Sequence, residues 1–149
     1  MIDEKIKLRG DVAIVLSNAS GEVKETREIK NLVVTTGLGF ICSRMAGTSS
    51  GVMSHMGLGS GSTAASASDT DLGSILGSRE ALDSSTASAN TIQYIASYSQ
   101  GSATGAVTEA GIFNASSSGT MLCRTVFPVI NKSSDDTISV TWLLTLSAS

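Results

Sequence analysis

The sequence predicts an all-β domain: an antiparallel β-sandwich or jelly-roll-like fold with an N-terminal hairpin or arm and one short helix. Two observations carry this prediction. Apolar stretches with period-2 alternation recur along most of the chain, and turns rich in Gly, Ser and Asn separate them at short intervals. A chain of 149 residues is long enough to bury one core. We therefore expect a single domain over 1–149, with the hairpin or arm in 1–35 and the sandwich body in 36–149.

Two strands and a turn are predicted in the N-terminal segment. Residues 5–16 alternate apolar and charged side chains and then become β-branched, which is typical of a strand. Residues 17–21 have turn composition, and 22–35 return as a second strand that ends in the apolar run LVV. We expect the charged half of this hairpin to project from the body and reach a neighbouring subunit. Its predicted contact residues are Ile2, Ile6 and Leu8.

A short helix is predicted next, over residues 36–45. Leu38, Ile41 and Met45 follow each other at i, i+3 and i+7, the spacing of one helix face. Gly37 and Gly39 weaken the prediction, because glycine lowers helix propensity by about 1 kcal/mol relative to alanine. The alternating stretch 52–58 then predicts a strand.

The segment 59–73, GSGSTAASASDTDLG, is long for a loop in a compact domain. Loops of more than about 12 residues are usually functional or disordered. We therefore predict that it contacts neighbouring subunits. Its predicted contact residues are Gly59, Ser60, Thr63, Asp69 and Leu72.

Two weaker segments lead to the C-terminal third. Residues 71–82 contain a short apolar run that predicts a weakly helical stretch followed by an edge strand. A Ser/Thr/Ala spacer, 83–90, separates them from a strand predicted over 91–99, in which Tyr94 and Tyr98 share one face.

The C-terminal third, 106–146, predicts an antiparallel meander of three strands joined by polar turns. The strands are expected over 106–114, 120–128 and 137–146. In the last strand Trp142 belongs to an apolar face that alternates with Ser and Thr. Pro128 has no N–H for a strand ladder, so it marks an edge or a bend.

A possible ion pair lies within this meander. Glu109 interrupts an otherwise apolar strand, where a charge must be paired or face the solvent. Arg124 lies in the next strand along the chain, within reach of a cross-strand contact. We predict a structural ion pair between Glu109 and Arg124.

The distribution of charge favours packing against other proteins. Of 10 Lys plus Arg and 13 Asp plus Glu, six of each kind lie in residues 1–30, so eleven charges remain for the other 119 residues. An uncharged Ser/Thr/Gly surface is less costly to desolvate than a charged one. The alternative interpretation is an ordinary β protein with few charges. A net charge of −3 argues against nucleic acid as a partner.

No pattern in the sequence predicts catalysis, a metal or a cofactor. His55 is the only histidine, and no G-x-S-x-G turn is present. Cys42 and Cys123 lie far apart in apolar runs, and we expect them to be reduced thiols that pack as small apolar groups. A jelly-roll hydrolase would need paired carboxylates, and the candidates Glu80, Asp83 and Glu109 form no recognisable pair. Apolar runs are too short to predict a membrane span.

Three phrases of the sequence resemble a group of small virion structural proteins of tailed bacteriophages. These phrases are KNLVVTTGLGFI, GLGSGSTAASASDTDLG and TEAGIFNASSSGTMLCRTVFPVINKSSDDTISVTW. The resemblance covers about residues 12–146, and its clearest parts are the EAG-[IL]-F strand and the end strand TISVTW. The chain resembles the capsid decoration, or cement, proteins of this group, and related modules occur in tail and fibre proteins.

The resemblance implies a structural role in the virion and no enzymatic activity. It implies binding to the outer surface of an expanded head, with the major capsid protein and further copies of the chain, as a homotrimer or homodimer, as partners. The protein would be made in the bacterial cytoplasm and carried on the capsid surface. A tail, baseplate or fibre module is the alternative, and the residues alone do not separate head from tail.

Overall fold

The computed structural model describes residues 4–48 and 51–148. Over these residues the chain forms ten strands and one helix. The strands are β1 (Ile6–Ser17), β2 (Val23–Lys30), β3 (Leu32–Val33), β4 (His55–Gly59), β5 (Glu80–Ala81), β6 (Ser84–Ser88), β7 (Thr91–Tyr98), β8 (Gly105–Phe113), β9 (Met121–Lys132) and β10 (Thr137–Ala148). The helix α1 (Thr35–Ala46) follows β3.

The strands form two five-stranded sheets. Sheet 1 has the order β2-β1-β10-β7-β6, and sheet 2 has the order β3-β9-β8-β4-β5. Each paired strand runs antiparallel to its neighbours. The predicted all-β antiparallel sandwich with one short helix is therefore confirmed.

The core lies between the sheets and follows the period-2 pattern of the strands. In β1 the buried apolar side chains are Val12, Ile14 and Leu16, and in β10 Trp142 is fully buried. Because successive side chains of a strand point to opposite faces, these alternating residues all reach the same core. One apolar cluster accounts for most of the core.

The N-terminal hairpin is part of the sandwich and not an arm outside it. β1 lies between β2 and β10, and it pairs with β10 along its whole length, from Ile6 opposite Ala148 to Ser17 opposite Thr137. The expectation that the charged half of this hairpin projects from the body is wrong, because the first residues of β1 pair with β10 and β2 pairs with β1. Only the charged strand β2 lies at the sheet edge.

The predicted meander is wrong for its third strand. β8 and β9 pair as a hairpin in sheet 2, but β10 crosses to sheet 1 and lies between β1 and β7. Pro128 does not end β9. It lies where the register with β8 changes from Val107 opposite Ile130 to Glu109 opposite Val126, an irregularity of the kind that can bend a strand.

Residues 71–79 form no helix. The segment is irregular, with one isolated bridge between Gly59 and Ile75, before the predicted edge strand appears as β5. The polar spacer before β7 is itself a strand, β6. Its sequence, SSTAS, has only one apolar residue, so no apolar alternation indicated it.

Helix α1 packs against sheet 2 through its first turn. Gly37 is buried there, and the main chain of Leu122 in β9 lies where a side chain would be. The helix ends at Gly47, whose φ of 67° suits glycine and whose N–H donates to the carbonyl of Arg44. Within the described residues no helix is long and apolar enough to cross a membrane.

Candidate functional site

A buried ion pair lies on sheet 2. Glu109 of β8 and Arg124 of β9 are diagonal neighbours, since Gly111 is directly opposite Arg124. The Nη2 atom of Arg124 is 3.0 Å from Oε1 of Glu109, and the exposed fractions of the two side chains are 3% and 0%. The structure therefore brings together the two residues predicted as a structural ion pair.

The carboxylate of Glu109 also binds main-chain N–H groups of the loop of residues 60–79. The N–H groups of Gly61, Gly73 and Ser74 donate to its carboxylate at 2.6, 2.8 and 2.8 Å. A Cβ on Gly61 would lie 2.3 Å from Oε2 of Glu109. Glycine is needed at this position because the loop backbone approaches the carboxylate so closely.

Arg124 fixes the same loop from the other side. Its Nη1 donates to Oδ2 of Asp69 at 2.8 Å, and its Nη2 donates to the carbonyl of Thr63 at 3.0 Å. Burial raises the pKa of Asp69. The main-chain N–H of Ser66 and the Arg124 guanidinium together lower this pKa by more than burial raises it, so the pKa lies below its ordinary value. The ion pair thus attaches a long loop to two strands.

Three of the five contact residues predicted in this loop have internal roles. Gly59 is buried in β4, Asp69 binds Arg124, and Leu72 packs in a small apolar cluster that includes Phe113. The loop folds back on its own chain because the buried Glu109 carboxylate needs main-chain donors. The main chain of Ser60 donates to Ser74, and the side chains of Ser60 and Thr63 remain exposed.

An apolar groove lies where α1 approaches sheet 1. Its volume is about 410 Å³. Its lining residues include Leu8 of β1, Leu146 of β10, Met45 of α1, Val52, and Ser85 of β6. Met45 is 82% exposed and Val52 is 56% exposed. The groove therefore presents apolar side chains that the fold leaves largely uncovered.

The predicted N-terminal contact residues lie beside this groove. Leu8 lines it, and Ile6, on the same face of β1, is 74% exposed. Ile2 lies outside the described residues. Leu8 therefore lies at the groove, whereas Ser60 and Thr63 lie on the loop of residues 60–79.

The other candidate polar groups make local contacts. The hydroxyl of Ser54 is 2.8 Å from Nδ1 of His55, and the hydroxyl of Ser97 donates to Asp83 at 2.6 Å. Glu80 accepts a hydrogen bond from Ser102. Among the described residues no three His, Cys, Asp or Glu side chains lie close enough to hold a metal ion.

A second ion pair, between Lys24 and Asp136, makes the folded state less stable at acid pH. Nζ of Lys24, in β2, is 2.9 Å from Oδ2 of Asp136, which also accepts the main-chain N–H of Ser133. These hydrogen bonds hold the pKa of Asp136 below its ordinary value of 3.8. The resulting stabilisation is complete above the unfolded-state pKa, and it is lost as the pH falls through the lower folded-state pKa.

We expect Lys24→Ala to reduce the loss of stability between pH 6 and pH 2. The free energy of unfolding in urea, measured at several pH values, tests this. Lys7→Ala is the matched control, because it removes the same charge from the opposite end of sheet 1 and should keep the wild-type pH dependence. Equal acid sensitivity in Lys24→Ala and the wild type would contradict the assignment.

Comparison of the chain with protein-family models, curated proteins and solved structures finds no match in any of the three. The resemblance to phage virion proteins therefore remains an expectation from the sequence.

Sequence reasoning missed the donors around Glu109 and the wall of the groove formed by α1. Gly61, Gly73 and Ser74 act through main-chain N–H groups, which every residue except proline carries, so residue identity gave no signal. The sequence did place Met45 on the predicted apolar face of the helix. It could not show that this face lies beside lining residues from distant parts of the chain, such as Leu8 and Leu146.

Proposed function

We propose that the protein is a structural protein of a tailed-phage virion, a decoration or cement protein that binds the outer surface of the expanded head. It stabilises contacts between major capsid protein subunits and carries out no reaction. The protein is made in the bacterial cytoplasm and functions on the capsid surface, together with further copies of itself. The sequence resemblance suggests this role, and the apolar groove between α1 and sheet 1 is the structural observation that carries it.

The groove supports the proposal through its chemistry. Its lining residues Met45 and Val52 are large apolar side chains with more than half of their surface exposed, and clustered exposed apolar surface marks interaction sites. Burial of such surface contributes about 25 cal/mol per Å² before the costs of association. On a capsid the same small gain is repeated at every copy, so the shell as a whole gains stability.

The low charge of the body fits the same role. After residue 30 the chain carries only eleven charged side chains, and Glu109, Arg124 and Asp69 are already paired inside the fold. The polar surface that remains is mainly Ser, Thr and Gly, which can lie against a neighbouring protein without stripping water from charges.

The test is to mix the purified protein with expanded, undecorated heads and separately with isolated tails, and then to pellet and count the bound copies. We expect binding to heads in hundreds of copies per particle, with greater resistance of the heads to heat. Binding to tails alone would favour the tail, baseplate or fibre alternative. Binding to neither would overturn a virion role.

A pair of variants tests whether the groove is the contact surface. Met45→Glu introduces a charge in the groove at a side chain that is 82% exposed, so the fold should tolerate it. We expect binding to heads to weaken about tenfold, which corresponds to a loss of about 1.4 kcal/mol in binding free energy at the centre of the contact. Val23→Glu, at an apolar residue of β2 that is 59% exposed, is the matched control. Equal binding by both variants would remove the groove from the proposal.

A further inference from the structure

The four sheet edges of the sandwich differ in how they are protected. A free edge exposes main-chain donors and acceptors that can pair with another chain, and proteins block such edges with charges, short strands or prolines. In sheet 2 the edge strands β3 and β5 have two residues each. Two edges are therefore too short to accept a partner strand readily.

In sheet 1, the edge strand β2 is protected by charge. Its sequence, VKETREIK, has a charged side chain at five of eight positions. Arg27 also donates to the carbonyls of Pro128 and Val129 in β9, so it ties this edge to the other sheet. A second chain approaching β2 would have to displace these contacts.

The opposite edge of sheet 1, β6, has none of these protections. Its sequence, SSTAS, contains no charge and no proline, and its last four residues are exposed. A two-residue turn joins it to β7, with Ser88 opposite Thr91. Since the closing pair of such a hairpin is doubly hydrogen-bonded and pairs then alternate, the main-chain groups of Ser85 and Ala87 face away from β7.

We propose that β6 pairs with β6 of a second copy of this chain, antiparallel about a two-fold axis at Thr86. In this register Ser85 of each copy faces Ala87 of the other, so both N–H and both C=O groups on each free edge are satisfied. The two Thr86 side chains lie opposite each other on the outer face, a favourable cross-strand pair. The strand is self-complementary, as a two-fold contact requires, and the paired sheets 1 become one continuous sheet.

The groove is continuous with this edge, because Ser85 is one of its lining residues. A two-fold axis perpendicular to the sheet keeps the same face of both copies on one side. The two grooves would therefore open side by side on one face of the dimer. This arrangement would present two apolar contact surfaces to one partner.

The inference gives a specific form to the self-association in the proposed function, but it is tested on the free protein. Multi-angle light scattering across a concentration series should show a mass that rises towards twice the 15.2 kDa of the chain. Thr86→Lys places two ammonium groups opposite each other at the axis, and we expect about tenfold weaker dimerisation. Thr86 is exposed, so each monomer should keep its fold.

A charge-reversal experiment provides the decisive test. Thr86→Glu alone should weaken the dimer as Thr86→Lys does, and an equimolar mixture of the two variants should restore it as a heterodimer. Thr26→Lys, the same substitution at an exposed position of the β2 edge, is the control and should leave the dimer intact.

A monomer at all concentrations, a trimer, or no restoration in the mixture would overturn the β6 pairing. Dimers of Thr86→Lys as strong as those of the wild type would do the same. None of these results bears on whether the protein pellets with heads, so the two proposals can fail separately.

Discussion

Gly37→Ala is expected to destabilise the protein by about 3 kcal/mol, at the upper end of the cost of overpacking. An alanine Cβ at this position would lie 2.1 Å from the carbonyl oxygen of Leu122 and 2.9 Å from its carbonyl carbon. Leu122 lies in a bulge, but its neighbours Met121 and Cys123 are paired with β8 and its carbonyl accepts the N–H of Val34, so these atoms are held in place. Helix α1 would have to shift away from sheet 2.

Two neighbouring contacts would be strained by the same shift. The main-chain N–H of Val34 donates to the carbonyl of Leu122, and the hydroxyl of Thr36 donates to the carbonyl of Met121. Thermal unfolding provides the measurement. For a domain of this size 1 kcal/mol corresponds to about 2–4 °C, so we expect a decrease in Tm of about 6–12 °C.

Gly39→Ala is the matched control in the same helix. Nothing lies within 4 Å of a Cβ at Gly39, and alanine has a helix propensity higher by up to about 1 kcal/mol. We expect an unchanged or slightly higher Tm. If Gly37→Ala melts like Gly39→Ala, the close contact between α1 and β9 is not present in the folded protein.

Glu109→Ala is expected to cost about 3–5 kcal/mol, the range for removing one partner of a buried ion pair. The substitution leaves the Arg124 guanidinium buried with only Asp69 as a counter-charge, and it removes the acceptor for the N–H groups of Gly61, Gly73 and Ser74. The loop of residues 60–79 would lose its main attachment. Arg124→Ala should cost a similar amount, because it leaves the fully buried carboxylate without its cation.

Two measurements separate this loss from general destabilisation. Urea unfolding gives the change in free energy, and limited proteolysis under native conditions should show new cleavage within residues 60–79. Asp11→Ala is the control, because it breaks the exposed pair of Asp11 with Arg9, which should contribute less than about 1 kcal/mol. An unchanged melting temperature for Arg124→Ala would contradict a structural role for the pair.

The sequence indicated the ion pair because a charge within an apolar strand needs a partner. Glu109 interrupted an otherwise apolar strand, and the next strand contained a single charge in its first half, Arg124. The pattern could not show that the loop would supply the remaining donors. The length and composition of the loop predicted contact with neighbouring subunits, which stays a prediction, but they did not indicate that three main-chain groups and Asp69 hold the loop on its own chain.

The fold class was predictable for a similar reason, while the topology was not. Alternation marked β1, β7 and β10 because each has one face in the core. It gave no signal for β6, which is nearly all exposed. The alternation of β10 also said only that one face is buried, and not that its partners would be β1 and β7 in place of β9.

The position of β10 has a consequence for how the chain folds. β1 with β2 and β6 with β7 are hairpins of neighbouring strands that can form early, yet they meet only when β10 lies between them. Contacts such as Ile14 with Val140 join residues far apart in sequence, and chains dominated by such contacts fold slowly. On the ribosome, sheet 1 would therefore remain as two separate halves until β10 has emerged, and its central strand would be the last to be added.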